Sequence, residues 1–330
     1  MNSAHLNQPN AVKSIPGSFR RSLLGRSPVE INFNRRVFRG ATDDMQSRLE
    51  RVGATFLSGY HLALEHGTPN GLATELNLVE PDWRGFAFEG AAMGLALLDR
   101  LTPWRTDRIT QFLRGAGDAH AYMVHVAVGW VWARWPFGFR KAAQHLDPLL
   151  RWLAFDGWGF HEGFFHWPKY IDGQVRPKRL VGYEVRVFDQ GLGRSWWFVN
   201  GGNPELIART IENFPAERQG DLWSGLGLAS VYAGQISEAE LHSLRAAAGN
   251  FLPQLAQGAA FAAKARHRAG NPTPYTDRAC WLLCGQSSAD AAAITDAALE
   301  NLPANGAEPA YEIWRKRIQE KFSQGKELKR

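Results

Sequence analysis

Apolar residues recur at steps of three and four along most of the chain, the spacing that places side chains on one face of an α-helix. The first strong case begins at Asp43, from which Leu49, Val52 and Phe56 follow this spacing. Gly67 marks the predicted end of that helix. The stretch 68–83 lacks the pattern and is a predicted loop.

Other segments combine helical spacing with a polar outer face, which is typical of helices that cover a core. They are 108–113, 142–153, 205–213, 237–247 and 290–299. The last three begin at or next to Pro, Ser or Asp, as helix starts often do. These segments therefore predict a layer of outer, amphipathic helices.

A second kind of segment is rich in small residues and contains one polar residue followed by glycine. The pairs are Glu89-Gly90, Glu162-Gly163, Gln190-Gly191, Ser224-Gly225 and Gln257-Gly258, with glycines from 163 onward spaced by 28, 34 and 33 residues. Such spacing is typical of helix–turn–helix repeats. If the repeat is real, the polar residue of each pair points towards one cavity. Alternatively, the glycines only mark tight crossings in an irregular bundle.

Together these patterns predict an all-α fold of helical-hairpin repeats, in the form of a curved solenoid or an α/α toroid-like single domain. Inner helices would be glycine-rich and outer helices amphipathic. Residues 41–314 would form this domain. Residues 1–40 are predicted to be a basic extension, disordered to about residue 16, and residues 315–330 a basic tail.

Charge separates the ends of the chain from its body. Residues 1–40 carry seven Lys/Arg and one Asp/Glu, and residues 315–330 carry seven and two. With a net charge of +6 overall, the body between them is about −5. A nucleic-acid surface needs its positive charge on the folded part, so we expect no nucleic-acid partner.

The remaining composition favours a cytoplasmic location. No apolar run reaches the roughly 20 residues of a transmembrane helix. The two cysteines, Cys280 and Cys284, are too few for a disulfide framework and suit a reducing compartment. Serine-hydrolase, phosphate-loop, dinucleotide and Asp-rich magnesium motifs are all missing from the sequence.

Aromatic residues and glycines are densest over 158–200, where His161, Glu162 and His166 resemble a zinc motif. In that motif the histidines are four apart, whereas here they are five apart. On a continuous helix this separation turns them about 140° from each other. The spacing therefore predicts no metal site, and we expect no cofactor.

Three carboxylates are candidate catalytic groups. Glu162 and Glu89 lie in apolar surroundings that would raise a carboxyl pKa towards neutrality and suit a general acid or base. Alternatively, Glu162 forms a structural ion pair with Arg186 or Arg194. Asp189 precedes a Gly-x-Gly sequence that could present backbone N–H groups to an anion, or could simply allow close helix packing.

Aromatic and polar residues of the same segments are candidate substrate-binding groups, since thirteen tryptophans suit a large apolar ligand if several line a cavity. We predict Trp158, His161, Phe164, His166, Gln190, Arg194, Trp197, Trp223 and Gln257 in this role. His120 and His125 are expected to be ordinary core histidines.

The chain resembles the DUF1702 family of bacterial proteins along nearly its whole length. The matching stretches are FRRSLLGRSPVE (19–30), FEGAAM (88–93), DGWGFHEGFF (156–165), FDQGLGRSWWF (188–198), DLWSGLGLA (221–229) and AQGAAFAA (256–263). The resemblance implies a place in enediyne antibiotic biosynthesis, where members accompany the iterative polyketide synthase. It carries over no catalytic residues.

These observations lead to one main hypothesis and two alternatives. The main hypothesis is an aromatic-lined cavity that binds, and transforms by cofactor-free acid/base chemistry, a long apolar polyene or enediyne-core intermediate. The first alternative is a non-catalytic scaffold or shielding protein, whose partners would include other proteins of the pathway. The second is a terpene-cyclase-like helical barrel, although the Asp-rich acid motif of those enzymes is missing.

Overall fold

The computed structural model describes residues 16–102, 104–304 and 306–324. Over these residues the chain forms helices and no strand, which confirms the all-α prediction. The α-helices are α1 (Gly17–Leu24), α2 (Phe33–Arg36), α3 (Asp43–His66), α4 (Leu72–Leu76), α5 (Pro81–Leu101), α6 (Arg108–Leu113), α7 (Ala121–Arg134), α8 (Phe139–Ala143), α9 (Leu153–Phe165), α10 (Tyr183–Val199), α11 (Pro204–Glu212), α12 (Ala216–Tyr232), α13 (Glu238–Ala248), α14 (Leu252–Arg268), α15 (Pro274–Cys284), α16 (Ser288–Ala297) and α17 (Ala310–Gln324). None of these helices is long and apolar enough to cross a membrane.

Seven long helices form an inner row in which each packs against the next along the chain. They are α3, α5, α7, α9, α10, α12 and α14. In the C-terminal half, α11, α13 and α15 follow the inner helices and pack against one another as an outer layer. The predicted helical hairpins are therefore present, most regularly from α10 onward.

The inner row curves back on itself. Arg48 of α3 donates a hydrogen bond to the carbonyl of Ala233, just beyond α12, at 2.7 Å. At the start of α5, Phe86 packs edge-on against Tyr232 of α12. The beginnings of α3 and α5 thus lie beside the end of α12, and the row surrounds a central space.

Glycines set the distance between neighbouring inner helices. At each of five crossings, a glycine on one helix faces a backbone carbonyl of the other helix. Three residues after that carbonyl, the second helix has its own glycine, which faces a backbone carbonyl of the first helix. The pairs are Gly59/Gly90, Gly129/Gly157, Gly159/Gly191, Gly193/Gly225 and Gly227/Gly258. A Cβ at any of these positions would overlap the facing carbonyl oxygen. The helices therefore approach as closely as their backbones permit.

The structure corrects the predicted glycine series at one member. Gly157, preceded by Asp156, makes the crossing contact that the sequence assigned to Gly163. The series Gly157, Gly191, Gly225 and Gly258 has spacings of 34, 34 and 33 residues. Gly163 instead packs against the side chain of Ser195, so it belongs to a different contact.

Most predicted helix boundaries hold within two residues, with two exceptions. The predicted loop 68–83 contains α4 and the start of α5, where Pro81 occupies the first turn that tolerates proline. The predicted helix 142–153 is wrong, because Pro148 interrupts it. There Asp147 accepts hydrogen bonds from the amides of Leu149 and Leu150 and forms a turn instead.

The predicted terminal divisions do not coincide with the packing. In the N-terminal segment, Arg20 of α1 donates a hydrogen bond to the carbonyl of Leu64 at 2.7 Å, which ties α1 to α3. The division at residues 314/315 falls inside α17, where Arg315 is only 1% exposed. The predicted disorder before residue 16 lies outside the described residues.

The glycine crossings predict a position-specific effect within α12. We expect Gly225→Ala to lower the free energy of unfolding by about 2 kcal/mol, because its Cβ would displace the carbonyl of Gln190. The matched control is Gly220→Ala in the same helix, where the nearest atom is 3.7 Å away. The free energy of unfolding of this control should rise by up to about 1 kcal/mol, because alanine has a higher helix propensity than glycine. Urea unfolding of both variants measures the difference, and equal effects would contradict the packing argument.

Candidate functional site

The inner helices surround a central cavity of about 80 Å³, and space open to solvent adjoins it. Its wall combines α3, α5, α7, α9, α10 and α12 with part of the N-terminal segment. Most of the wall is aromatic or aliphatic. The large side chains on it are Phe56, Phe86, Met123, Trp130, Phe160, Phe164, Phe165, Phe198 and Tyr232. Such a wall suits an apolar ligand.

The aromatic side chains of the wall are packed against one another. Phe56 stacks on Trp130 with ring centroids 4.7 Å apart, and Trp130 contacts Phe160 at 5.3 Å. Phe160 also meets Phe198 edge to face at 5.3 Å. Since these rings come from α3, α7, α9 and α10, the wall depends on the spacing of the whole helix row.

Glu89 is the acidic side chain that α5 contributes to the cavity wall. It directly precedes Gly90, whose close contact with α3 leaves no room for water on that side. Glu89 is 4% exposed, and no Lys, Arg or His nitrogen of the described chain lies within 4.0 Å of its carboxyl. Burial raises the pKa of Glu89 to about 7, although Arg194 attracts the charged form. Both protonation states are therefore accessible at neutral pH.

Arg194 is the buried cation of the wall. Its guanidinium lies over the ring of Phe160 at 4.6 Å and forms an ion pair with Asp156 at 2.7 Å. The Nε atom of Arg194 is buried and has no hydrogen-bond partner in the described structure. Arg194 thus lies on the cavity with its charge balanced by Asp156 and with its Nε unbonded in the described part of the chain.

Asp156 was missed by the sequence analysis, although a signal for it existed. It is fully buried, and its second carboxylate oxygen accepts a hydrogen bond from Gln190 at 2.8 Å. Asp156-Gly157 is a polar-glycine pair 34 residues before Gln190-Gly191, which matches the repeat better than Glu162-Gly163 does.

The predicted ring of polar side chains around one cavity does not form. Gln190 binds Asp156 and the hydroxyl of Tyr311, and Ser224 donates a hydrogen bond to Gln257 at 2.8 Å. These side chains face the neighbouring helices and α17 instead of the cavity. Of the five predicted polar-glycine residues, only Glu89 lines the cavity.

A buried ionic network behind α10 and α12 reaches the C-terminal helix. Asp221 is paired with both Arg186 and Arg315, at 2.9 and 2.8 Å. Glu312 is paired with the same two arginines, at 2.8 and 3.1 Å. Since each buried charge has an opposite charge beside it, this network has a structural role.

Asp189, a predicted catalytic residue, is held in ion pairs away from the cavity. Arg218 contacts both of its carboxylate oxygens, at 2.6 and 2.9 Å, and Arg176 contacts one of them at 3.1 Å. Gly191 and Gly193 lie inside α10 and serve close packing, so no anion-binding turn forms there. The packing alternative for this Gly-x-Gly sequence is confirmed.

Glu162 and the two histidines lie in a second pocket that adjoins the cavity. The helix α9 ends at Phe165, and His166 leaves the helical conformation with φ −130° and ψ 34°. Its Nδ1 therefore lies 2.9 Å from a carboxylate oxygen of Glu162. The prediction that spacing separates His161 from His166 is wrong, because it assumed a continuous helix.

The environment of Glu162 also differs from both sequence interpretations. Burial alone would raise its pKa, but His161 and His166 outweigh burial and hold the pKa of Glu162 below its ordinary value. Neither Arg186 nor Arg194 pairs with it, since they bind other carboxylates. At neutral pH Glu162 is thus an anion bound to histidine, unlike Glu89.

The other predicted binding residues divide between the cavity and the core. Phe164, His161 and Arg194 line the cavity, and His166 lines the second pocket. Trp158, Trp197 and Trp223 are buried between helices, with Trp158 edge-on against Phe139. His120 stacks on Phe88, His125 binds the carbonyl of Ala121, and both cysteines are free thiols.

The network around Asp189 predicts a stability effect. Asp189→Asn should lower the free energy of unfolding by about 3–5 kcal/mol, because it leaves the buried Arg218 without a countercharge. The matched control is Glu205→Gln, which removes an exposed pair with Arg209 and should cost less than about 0.5 kcal/mol. Thermal unfolding measures the stability of both variants. Equal stability of the two would contradict the structural role of Asp189.

Comparison with known proteins gives one match. Residues 15–322 match the family described as "Protein of unknown function (DUF1702)". The comparisons with curated proteins and with solved structures found no match. Because the matched region covers nearly the entire chain, this protein belongs to the DUF1702 family.

Proposed function

We propose that this protein binds a long apolar polyene or a related enediyne-core intermediate in its central cavity and exchanges a proton with it through Glu89. The observation that carries the proposal is a buried carboxyl group on an aromatic wall, with no ion-pair partner among the described residues. Its link to enediyne biosynthesis rests on the resemblance of the sequence to the family.

The wall suits a conjugated hydrocarbon. Aromatic rings offer apolar faces to an extended π-system, and burial of apolar area contributes about 25 cal/mol per Å². The rings of Phe56, Trp130 and Phe160 are already packed against one another, so little side-chain freedom remains to be lost on binding. Their faces would also stabilise positive charge that develops on a protonated polyene.

Glu89 suits proton transfer better than the other two predicted carboxylates. With a pKa of about 7, it can donate its proton to a polyene carbon or, as carboxylate, remove one. Glu162 is held as an anion by two histidines, and Asp189 is held by two arginines. Arg194 lies on the same wall and stabilises the carboxylate form of Glu89 once the proton has left.

A second candidate function is binding and shielding without turnover. The supporting observation is that Arg194 is held by Asp156, and that Gln190 and Ser224 are bound to groups away from the cavity, so few of the predicted polar residues are free for chemistry there. In that case the Glu89 carboxyl would only orient the ligand. The two functions differ in whether the bound ligand changes chemically.

The first test follows a purified polyene by absorbance after mixing with the protein. Turnover should yield a new product spectrum, and Glu89→Gln should slow it by about 100-fold or more while binding persists, because the amide cannot exchange the proton. Glu212→Gln on the exposed end of α11 is the control and should behave as wild type. A spectral shift without product in wild type would instead support shielding, and unchanged turnover in Glu89→Gln would remove Glu89 from the mechanism.

The second test concerns stability against pH and needs no ligand. The folded pKa of Glu89, about 7, lies above the ordinary glutamate value of 4.5. The folded state therefore binds more protons between these values, and stability falls as pH rises from about 4.5 to 7. Glu89→Gln removes this loss, so it should be about 3 kcal/mol more stable than wild type at pH 8 and similar at pH 4. Urea unfolding at both pH values measures this, and parallel pH profiles would show that Glu89 titrates normally.

A further inference from the structure

His161, Glu162 and His166 converge at the end of α9 with all of their ligand atoms within 4.8 Å of one another. The Nδ1 atom of His161 is buried, has no hydrogen-bond partner among the described residues and lies 3.7 Å from a Glu162 oxygen. His166 Nδ1 lies 2.9 Å from the other Glu162 oxygen. An unsatisfied buried nitrogen beside a carboxylate is costly unless something binds between them.

We propose that these three side chains bind one divalent transition-metal ion. Two imidazoles and one carboxylate form a donor set that suits zinc and also iron(II). Three protein ligands leave at least one coordination position open. That position would face the pocket around the cluster, which has an empty volume of about 750 Å³ including its opening.

The distances suit metal binding after a small movement. Two donors about 2.1 Å from a tetrahedral ion lie roughly 3.4 Å apart. The distance from His161 to one Glu162 oxygen, 3.7 Å, and the distance from His166 to the other, 2.9 Å, fall on either side of this value. The separation between ligand atoms of the cluster, which reaches up to 4.8 Å, must become smaller when a metal binds. His166 can provide this movement, because its side chain is 56% exposed and it lies beyond the end of the helix.

Charged side chains around the cluster affect how strongly it would bind a cation. Arg36 and Arg134 line the same pocket and oppose a cation, whereas Glu30 favours one. With two arginines against one glutamate, we expect weaker binding than at structural zinc sites.

The metal site is separate from the proton transfer proposed for Glu89. His161 lies on both the second pocket and the cavity wall, so the ion would lie at their junction. There it could polarise an oxygen atom of a ligand whose apolar part occupies the cavity. Metal binding is measured without ligand, so its failure would leave the proposed function of Glu89 intact.

The test is calorimetric titration of the full chain, without a polyhistidine tag and after treatment with chelator, using Zn²⁺ and, without oxygen, Fe²⁺. We expect one ion per chain with Kd below about 10 µM for at least one of these metals. His166→Ala should weaken binding at least tenfold without changing thermal stability, since the side chain is largely exposed.

The matched control is His242→Ala, which removes an exposed histidine of α13 far along the chain from the cluster. It should bind the metal as wild type does. The site would be overturned by the absence of stoichiometric binding, by unchanged affinity in His166→Ala, or by equal losses in both variants. A further variant, Glu162→Gln, should also lose binding, and retention of full affinity there would likewise contradict the proposed ligands.

Discussion

The close contact between glycine and a facing backbone carbonyl is the constraint on which the rest of the structure depends. Each inner helix from α9 to α12 carries two glycines two residues apart, so its opposite faces contact the helices on either side. Any side chain at these positions would push neighbouring helices apart. The aromatic wall then could not stay packed, because its rings come from four different helices.

The same contact decides the surroundings of the residue before each glycine. That residue lies one position from the tightest point of the crossing, where water is excluded. Asp156, Gln190 and Gln257 meet these conditions by binding polar groups on neighbouring helices. Glu89 faces the cavity and has no ion-pair partner among the described residues, so the close packing that buries all four residues leaves one of them available for chemistry.

Two adjoining pockets result from this arrangement, and the pKa of the buried carboxyl group is shifted in opposite directions in them. The cavity holds a carboxyl that exchanges its proton near neutral pH, whereas the adjoining pocket holds a carboxylate kept charged by histidines. His161 belongs to both pockets. Proton transfer and metal binding are therefore proposals about neighbouring but distinct groups, and each can hold without the other.

The sequence by itself determined the helices, the repeat near 34 residues and the apolar surroundings of Glu89, because these depend on residues close together along the chain. Only the tertiary structure decided which carboxylates remain unpaired. Arg218 is 29 residues from Asp189, and Arg315 is 94 residues from Asp221, so helical spacing cannot reveal these pairs. At the end of α9, the non-helical backbone of His166 likewise brings together two histidines that their spacing on an ideal helix would separate.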